Sequence, residues 1–328
     1  MAKATITIIG LGKLGSSIGL ALKTPELDFK VIGHDKNNKV AKKAHAMGAV
    51  DSSSWNLIAA CETADVVILA IPFDQVQETL KAIGPELQPG CVVLDTSPLK
   101  QPVMDWAAKY LGEGVHFVGI SLGTNPAAML DASGGPAGAR LDLFANSPCC
   151  IMPAPDCRPE AVKTAQDVAT LLGATPHFLD PTEYDGISTA VNLMPGLMAA
   201  ALLGPVASSP SWRETRRLSS SDLLHFSRPL KAGGPALALA AVLNKDNVLR
   251  WLDTAITQLK TIREQVDQEQ QETLAAHIGA ASDARADWRA DWQLNQWEKQ
   301  SKPEMPSAGS WFGQFLGFGT RRKPKDKQ

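Results

Sequence analysis

The sequence predicts an α/β protein, with a doubly wound, mostly parallel sheet followed by an all-helical C-terminal domain. Three observations predict it. Short apolar runs alternate with helical stretches up to about residue 180, and the first of those runs breaks at closely spaced glycines. Beyond Thr182 the β-rich texture gives way to Ala, Leu, Gln and charged residues at helical spacing.

The elements follow in order. Residues 6–22 read ITIIGLGKLGSSIGLAL: an apolar strand Ile6–Ile9, a turn through Gly10, Gly12 and Gly15, and a helix bearing Leu14, Ile18 and Leu22. This is the pattern of a Rossmann-type dinucleotide-binding turn, in which Gly10 permits the sharp turn, Gly12 leaves room for a pyrophosphate and Gly15 lets the helix approach the sheet. The first helical turn offers free N–H groups and a positive dipole end to phosphates. A second run, Phe29–Gly33, ends at Asp35, twenty residues beyond Gly15, where a carboxylate accepts hydrogen bonds from ribose hydroxyls. Ala64–Ile71 stops at Pro72 and Cys91–Leu94 stops at Asp95, with a helix over Val76–Ile83 between them. The sheet continues through Val115–Ile120, Cys149–Met152 and Thr175–Leu179, with a helix from about Pro159 to Leu172.

Around the cofactor, NAD or NADP, the expected residues are Gly10, Gly12, Lys13, Leu14 and Gly15, with Asp35 and Lys36 on the ribose side. Ala70, Ile71 and Pro72 at the end of the third run complete the set. Asp35 favours NAD, since a carboxylate repels a 2′-phosphate, but Lys36, Lys39, Lys42 and Lys43 follow closely enough to neutralise one. Both cofactors stay open on sequence alone.

The dinucleotide-binding domain is placed at 1–181, a helical domain at 182–303 and an aromatic-basic tail at 304–328. The first helix of the second domain runs from Glu183 to about Leu203, with Pro195 inside it expected to kink it. Asn244–Glu272 carries Val248, Leu252, Ile256, Leu259 and Ile262 as an amphipathic stripe that packs on a neighbour or a second subunit. Asp283–Gln300 is a charged helix whose Trp288, Trp292 and Trp297 dock on this chain or on a partner. Residues 301–310 read as a linker, and the tail reads as frayed chain or as a peptide for a membrane surface or protein partner.

With 328 residues, 44% hydrophobic content and a formal charge of −2, the chain has material for two cored domains and no global field for nucleic acid. A start that runs straight into a strand, and no stretch of eighteen uninterrupted apolar residues, point to the cytoplasm. Five cysteines without CxxC spacing or a nearby histidine predict buried thiols and no metal site.

The glycine turn, LDTSPLKQPV after the fourth strand, the ARLDLFANSPCCIMPAP block and the YDGISTAVNLMPGLMAAALL helix together resemble the prephenate/arogenate dehydrogenase family, over roughly residues 5–265. The resemblance implies a nucleotide-binding domain, a helical dimerisation domain giving a homodimer, and an active site in the cleft between them. It further implies oxidation of a small cyclohexadienyl substrate by NAD or NADP, with loss of carbon dioxide as the ring becomes aromatic, on the way to tyrosine. Hydride leaves the ring carbon bearing the 4-hydroxyl, so some group must accept or share the hydroxyl proton.

The chain departs from the family where chemistry is expected. The family's Gly-Gly-His-Pro motif falls on Gly119-Ile120-Ser121-Leu122, putting Ser121 in the place of the catalytic histidine. His116 lies five residues back on the same strand, about 16 Å away at ~3.3 Å per residue. The Ser-His-Leu-Pro-His signature falls on Asn192-Leu193-Met194-Pro195-Gly196, without either histidine, and Pro98 stands where a serine precedes Val-Lys. Lys100 matches that lysine and Ser97 is adjacent. Ser97, Lys100, Ser121, Asp185 and Asn192 are therefore the candidate catalytic residues, with Asn125 and Tyr184 beside them. Lys100 is expected to polarise a substrate oxygen and Asp185, with a pKa raised by burial, to act as a base. Arg213, Arg216, Arg217 or Arg228 would bind a carboxylate. Leu94–Ser97, the DASGGPAGA stretch and Asn192 also resemble β-hydroxyacid dehydrogenases, although Ser188 stands where that family has a lysine. A silent nucleotide-binding sensor or assembly protein is the third reading.

Overall fold

The computed structural model describes residues 3–23, 29–129, 131 and 133–294. Strands β1 (Ala4–Ile9), β2 (Phe29–His34), β3 (Ser52–Ser53), β4 (Val66–Leu69), β5 (Val92–Asp95), β6 (His116–Leu122), β7 (Pro148–Pro153) and β8 (Thr175–Phe178) form one sheet. Its order is β3-β2-β1-β4-β5-β6-β7-β8. Neighbours run parallel except β6 and β7, which pair antiparallel with Ser121 opposite Cys150. The two-residue β3 is polar and exposed, and no apolar run announces it. Helices α1 (Lys13–Leu22), α2 (Asn38–Ala46), α3 (Leu57–Cys61), α4 (Val76–Ile83), α5 (Gln101–Tyr110) and α6 (Pro159–Leu171) cover the two faces.

The near-continuous apolar runs of the central strands are explained by burial on both sides. Ile6, Ile8, Val66, Ile68, Val92 and Leu94 face one core with α1 and α6, whereas Ile9, Val67, Leu69, Cys91 and Val93 face the other with α4 and α5. Tyr184, Leu193, Ala240 and Val248 join that second core, so the helical region is seated on one face of the sheet. Cys61, Cys91 and Cys149 are buried and Cys150 and Cys157 are partly so, all as free thiols.

The helical region comprises α7 (Pro181–Ser188), α8 (Met194–Ala207), α9 (Trp212–Leu218), α10 (Ser221–Phe226), α11 (Gly234–Leu243), α12 (Lys245–Asp267) and α13 (Gln271–Leu294). Its first helix differs from the sequence expectation. It starts at Pro181 with Asp180 as N-cap, widens into a π turn at Thr189–Leu193 and resumes as α8, where Pro195 sits in the first turn. Proline has no N–H for the carbonyl four residues back, and the wider turn ahead of it removes that demand. Pro181–Ala207 is also long and apolar enough to cross a membrane by length and composition, which the count of uninterrupted apolar residues missed because Glu183, Asp185 and Asn192 interrupt the run. In this fold its polar residues Asp185, Ser188 and Thr189 are buried.

The expected helix Asn244–Glu272 is two helices, α12 and α13, separated at Glu269, whose φ is +55°. Val248 is buried, but Ile256 and Leu259 are 47% and 53% exposed in the single chain. Trp288, on α13, is half exposed. The side chain of Trp292, all of Trp297, the linker at 301–310 and the tail at 304–328 lie outside the described residues.

Candidate active site

Two clusters occupy the carboxyl edge of the central strands. The first is the glycine turn between β1 and α1. Gly10 has φ +91° and its N–H donates to the His34 carbonyl at 2.8 Å. A Cβ on Gly10 would run into the Ala70 carbonyl and one on Gly15 into the Gly10 carbonyl, so both positions demand glycine. A Cβ on Gly12 would meet only open space, and no side chain caps α1. The first-turn amides of α1 therefore face an open cradle, which fits a pyrophosphate.

Asp35 closes the ribose side of that cradle. One carboxylate oxygen accepts from the Leu11 N–H at 2.9 Å and the other from the Asn37 N–H at 2.8 Å. Both bonds hold the carboxylate at the end of β2 with lone pairs left for hydroxyls. Lys36 is exposed beside it and Leu14 packs against the core. Lys13 turns away from the turn and donates to the Asp131 carboxylate at 3.0 Å and carbonyl at 3.1 Å. The Ser133 hydroxyl and amide, with Lys13, hold the Asp131 carboxyl well below the usual range. At the end of β4, Ala70 donates to the Ile9 carbonyl at 2.8 Å, Ile71 packs on the core, and Pro72 leads into a 3₁₀ turn at Phe73–Gln75.

The second cluster joins the end of β5 to α7. Asp95 accepts from the Ser97 hydroxyl at 2.7 Å and the Ser97 amide at 3.1 Å. Lys100 is 0% exposed, and its ammonium donates to the Asp95 carboxylate at 3.1 Å, the Asp95 carbonyl at 2.9 Å and the Ser97 carbonyl at 2.7 Å. Those three bonds use its three protons, so the geometry makes Lys100 the tie of the turn and leaves none for a substrate oxygen. Gly119 makes room for it, since a Cβ there would stand 2.7 Å from Lys100 Cδ.

Asp185 accepts from the Lys100 and Gln101 amides at 2.6 and 3.0 Å, capping α5 from a different element. Burial pushes its carboxyl up, against the pull of those two amides. At 4% exposure the carboxylate is turned to those amides and away from the open edge where a substrate proton would be taken. Ser121, partly exposed on β6, accepts from the Tyr184 hydroxyl at 2.9 Å. Ser188 donates to the Pro98 carbonyl, and Asn192 donates to Ser188 at 2.9 Å. Asn125 is spent on its own loop, accepting from Ala127 and donating to the Asp142 carbonyl. His116 starts β6 at the opposite edge, where cavities of about 440 and 720 Å³ border it together with Arg158.

Of the four candidate arginines, Arg228 reaches toward the loop that holds Asp131, with bonds to the Met129 and Asp131 carbonyls at 3.5 and 3.3 Å. Two supports were not expected from sequence. Asn244 donates to the Asp185 carbonyl at 2.9 Å and to the Thr189 hydroxyl at 2.6 Å, pinning the π turn. Its one sequence signal is its position at the break between two helical runs. Asp131 carries none beyond its place in a glycine-rich loop.

Comparison with known proteins gives concordant results. Residues 18–177 match the family model described as prephenate dehydrogenase, nucleotide-binding domain, and residues 180–280 match prephenate dehydrogenase, dimerization domain. The chain is 29% identical over 288 residues to a prephenate dehydrogenase of Bacillus subtilis, covering 86% of this chain and 76% of that protein. It is 24% identical to a cyclohexadienyl dehydrogenase of Zymomonas mobilis, covering 85% and 94%. Among solved structures, a prephenate dehydrogenase from Aquifex aeolicus in complex with hydroxyphenyl propionate and NAD+ superposes with TM-score 0.73 at 20% identity, covering 88% of this chain and 99% of that one. An arogenate dehydrogenase from Synechocystis does so at TM-score 0.64 and 22% identity, covering 87% and 99%. At such identities the superpositions establish the fold.

Proposed function

The chain belongs to the prephenate dehydrogenase family, and from that premise we propose that it oxidises and decarboxylates a cyclohexadienyl substrate such as prephenate or arogenate, using NAD. It is an NAD(P)-dependent oxidoreductase by family, and the chemistry the dinucleotide supplies when bound is acceptance of a hydride. One observation carries the proposal: placement. The Gly10–Gly15 turn follows β1, the Asp95–Ser97 turn ends β5 and Ser121 lies near the carboxyl end of β6; with β4 between the first two, these strands are consecutive neighbours in the sheet. A cofactor on the first cluster therefore lies along the edge that carries the second, at the point where the strand order reverses.

This chain's own residues bind and orient. The first-turn amides of α1 hold phosphates, and Asp35 holds the ribose and disfavours a 2′-phosphate, which is the ground for NAD over NADP. Lys100 and Asp185 stiffen the Asp95–Pro98 turn so that Ser97 and Ser121 keep fixed positions. The β-hydroxyacid reading loses support at Ser188 and Asn192, which bond each other and Pro98 without a lysine.

The proposal includes a dinucleotide unit and a helical unit meeting near residue 181, and a cytoplasmic homodimer formed through the helical unit. The matched dimerization domain and the exposed apolar side chains Ile187, Val191, Leu202, Ile256 and Leu259 support the dimer. Nicotinamide absorbance during incubation with prephenate or arogenate, with NAD and with NADP, is the deciding experiment. Reduction of NAD by either substrate is expected; saturable NADH binding with no turnover on both substrates would favour the silent-sensor reading instead.

A further inference from the structure

We propose that a neutral hydroxyl pair, Ser121 with Tyr184 behind it, does the work for which the family motif uses a histidine. Ser121 Oγ shares the proton of the substrate's ring hydroxyl, and Tyr184 is the positioning residue that fixes how Oγ presents itself. The inference rests on the substrate class proposed above.

The geometry is specific. Ser121 stands near the carboxyl end of β6 and is partly exposed, whereas Tyr184 is 6% exposed and donates to Ser121 Oγ at 2.9 Å. The Tyr184 ring lies beneath the Lys100 ammonium, 5.7 Å from ring centroid to Nζ. Its helix cannot drift, because the next residue, Asp185, caps α5 and Asn244 holds the Asp185 carbonyl. A serine hydroxyl has two lone pairs and one proton. Tyr184 occupies one lone pair, which leaves the other, with the proton, for whatever reaches the edge.

The balance of the reaction shows why a hydroxyl suffices. The ring carbon bearing the hydroxyl gives up its hydrogen with the bonding pair to the oxidised nicotinamide. The ring carboxylate leaves as carbon dioxide, and the electrons of the broken C–C bond enter the ring. The hydroxyl keeps its proton in the phenol product. No proton is released overall, so the protein has only to stabilise that O–H while positive charge builds on the carbon. A fixed acceptor lone pair does this without being protonated.

The charged and titratable groups facing Tyr184 are Lys100 with its partner Asp95, Asp185 on its own helix, and Cys150 opposite Ser121 on β7. His177 on β8 is the register partner of that cysteine. Ser121→His puts a titrating imidazole at the substrate hydroxyl itself and is expected to add an acid limb, with activity lost as pH falls below about 6.5.

The test compares binding of 3-(4-hydroxyphenyl)propionate and 3-phenylpropionate to the full chain with NAD present, so that it does not depend on turnover. The parent is expected to prefer the hydroxylated acid by about 3- to 10-fold, the worth of one neutral hydrogen bond. Ser121→Ala brings the two within about twofold. Tyr184→Phe, which keeps the ring in the core, reduces the preference and lowers kcat while KM for NAD holds. Ser121→His in the Tyr184→Phe background restores kcat with the new acid limb. A parent preference that survives both single substitutions, or the absence of any preference in the parent, overturns the hydroxyl-pair assignment alone. Failure of both acids to bind while NAD still binds overturns the substrate class, and this inference with it.

Discussion

Gly12 is the residue at which the cofactor site is most directly exposed to test. A side chain there enters open space, so nothing in the fold resists it, yet that space is the one a pyrophosphate needs. Gly12→Val is expected to leave thermal stability within about 0.5 kcal/mol of the parent and to weaken NADH binding at least about tenfold, read by tryptophan fluorescence. Gly10 and Gly15 do not separate the two effects, because a Cβ at either meets a backbone carbonyl. Asp35 tests specificity at the same scale. Its carboxylate is held by the Leu11 and Asn37 amides, and Lys36 is exposed next to it. Asp35→Ser removes the charge that repels a 2′-phosphate. Parallel titrations should show NADH affinity falling about tenfold and NADPH affinity rising.

At the scale of elements, the contact that most constrains the site is Asp185 of α7 against the start of α5. Asp185→Ala leaves those amides uncapped and is expected to cost about 1–2 kcal/mol in urea unfolding. Asp185→Asn isolates the charge. Burial raises the carboxyl's folded pKa above its ordinary 3.8, so the folded state holds this proton at pH values where the unfolded chain has released it. The contribution of Asp185 to stability is then greatest below 3.8 and falls as pH rises through the window up to the raised value. Relative to Asp185→Asn, the parent should lose stability across that window and run parallel to the variant above it. A flat difference between the two unfolding series would show that the carboxyl is not shifted upward.

For the whole molecule, the apolar stripe of α12 divides in two. Val248 is buried, while Ile256 and Leu259, two and three turns on, face outward in the single chain. Exposed apolar residues on one helix line mark an interaction surface. Ile256→Asp with Leu259→Asp is expected to turn a dimer into a monomer by sedimentation, with the far-ultraviolet dichroism of the parent. A dimer of unchanged strength would place the interface elsewhere.

The amino-acid sequence by itself determined the dinucleotide turn, the seven strands that carry apolar runs and the change to helix near residue 181. These are local patterns: apolar period, glycine spacing and chain-breaking residues act within a few positions of one another. Four features were decided only by the tertiary structure. β7 turns antiparallel to β6, the chain widens at Thr189–Leu193, Lys100 is buried beneath the Asp95 turn, and Tyr184 reaches Ser121 across sixty-three residues. Lys100 illustrates the physical reason. As a residue type it reads as a free cation, but once folding removes it from water its ammonium must find acceptors, and Asp95 and Ser97 supply them. Whether a polar group in this chain meets a substrate or a neighbour depends on which distant elements the sheet brings together, and residue spacing carries no record of that.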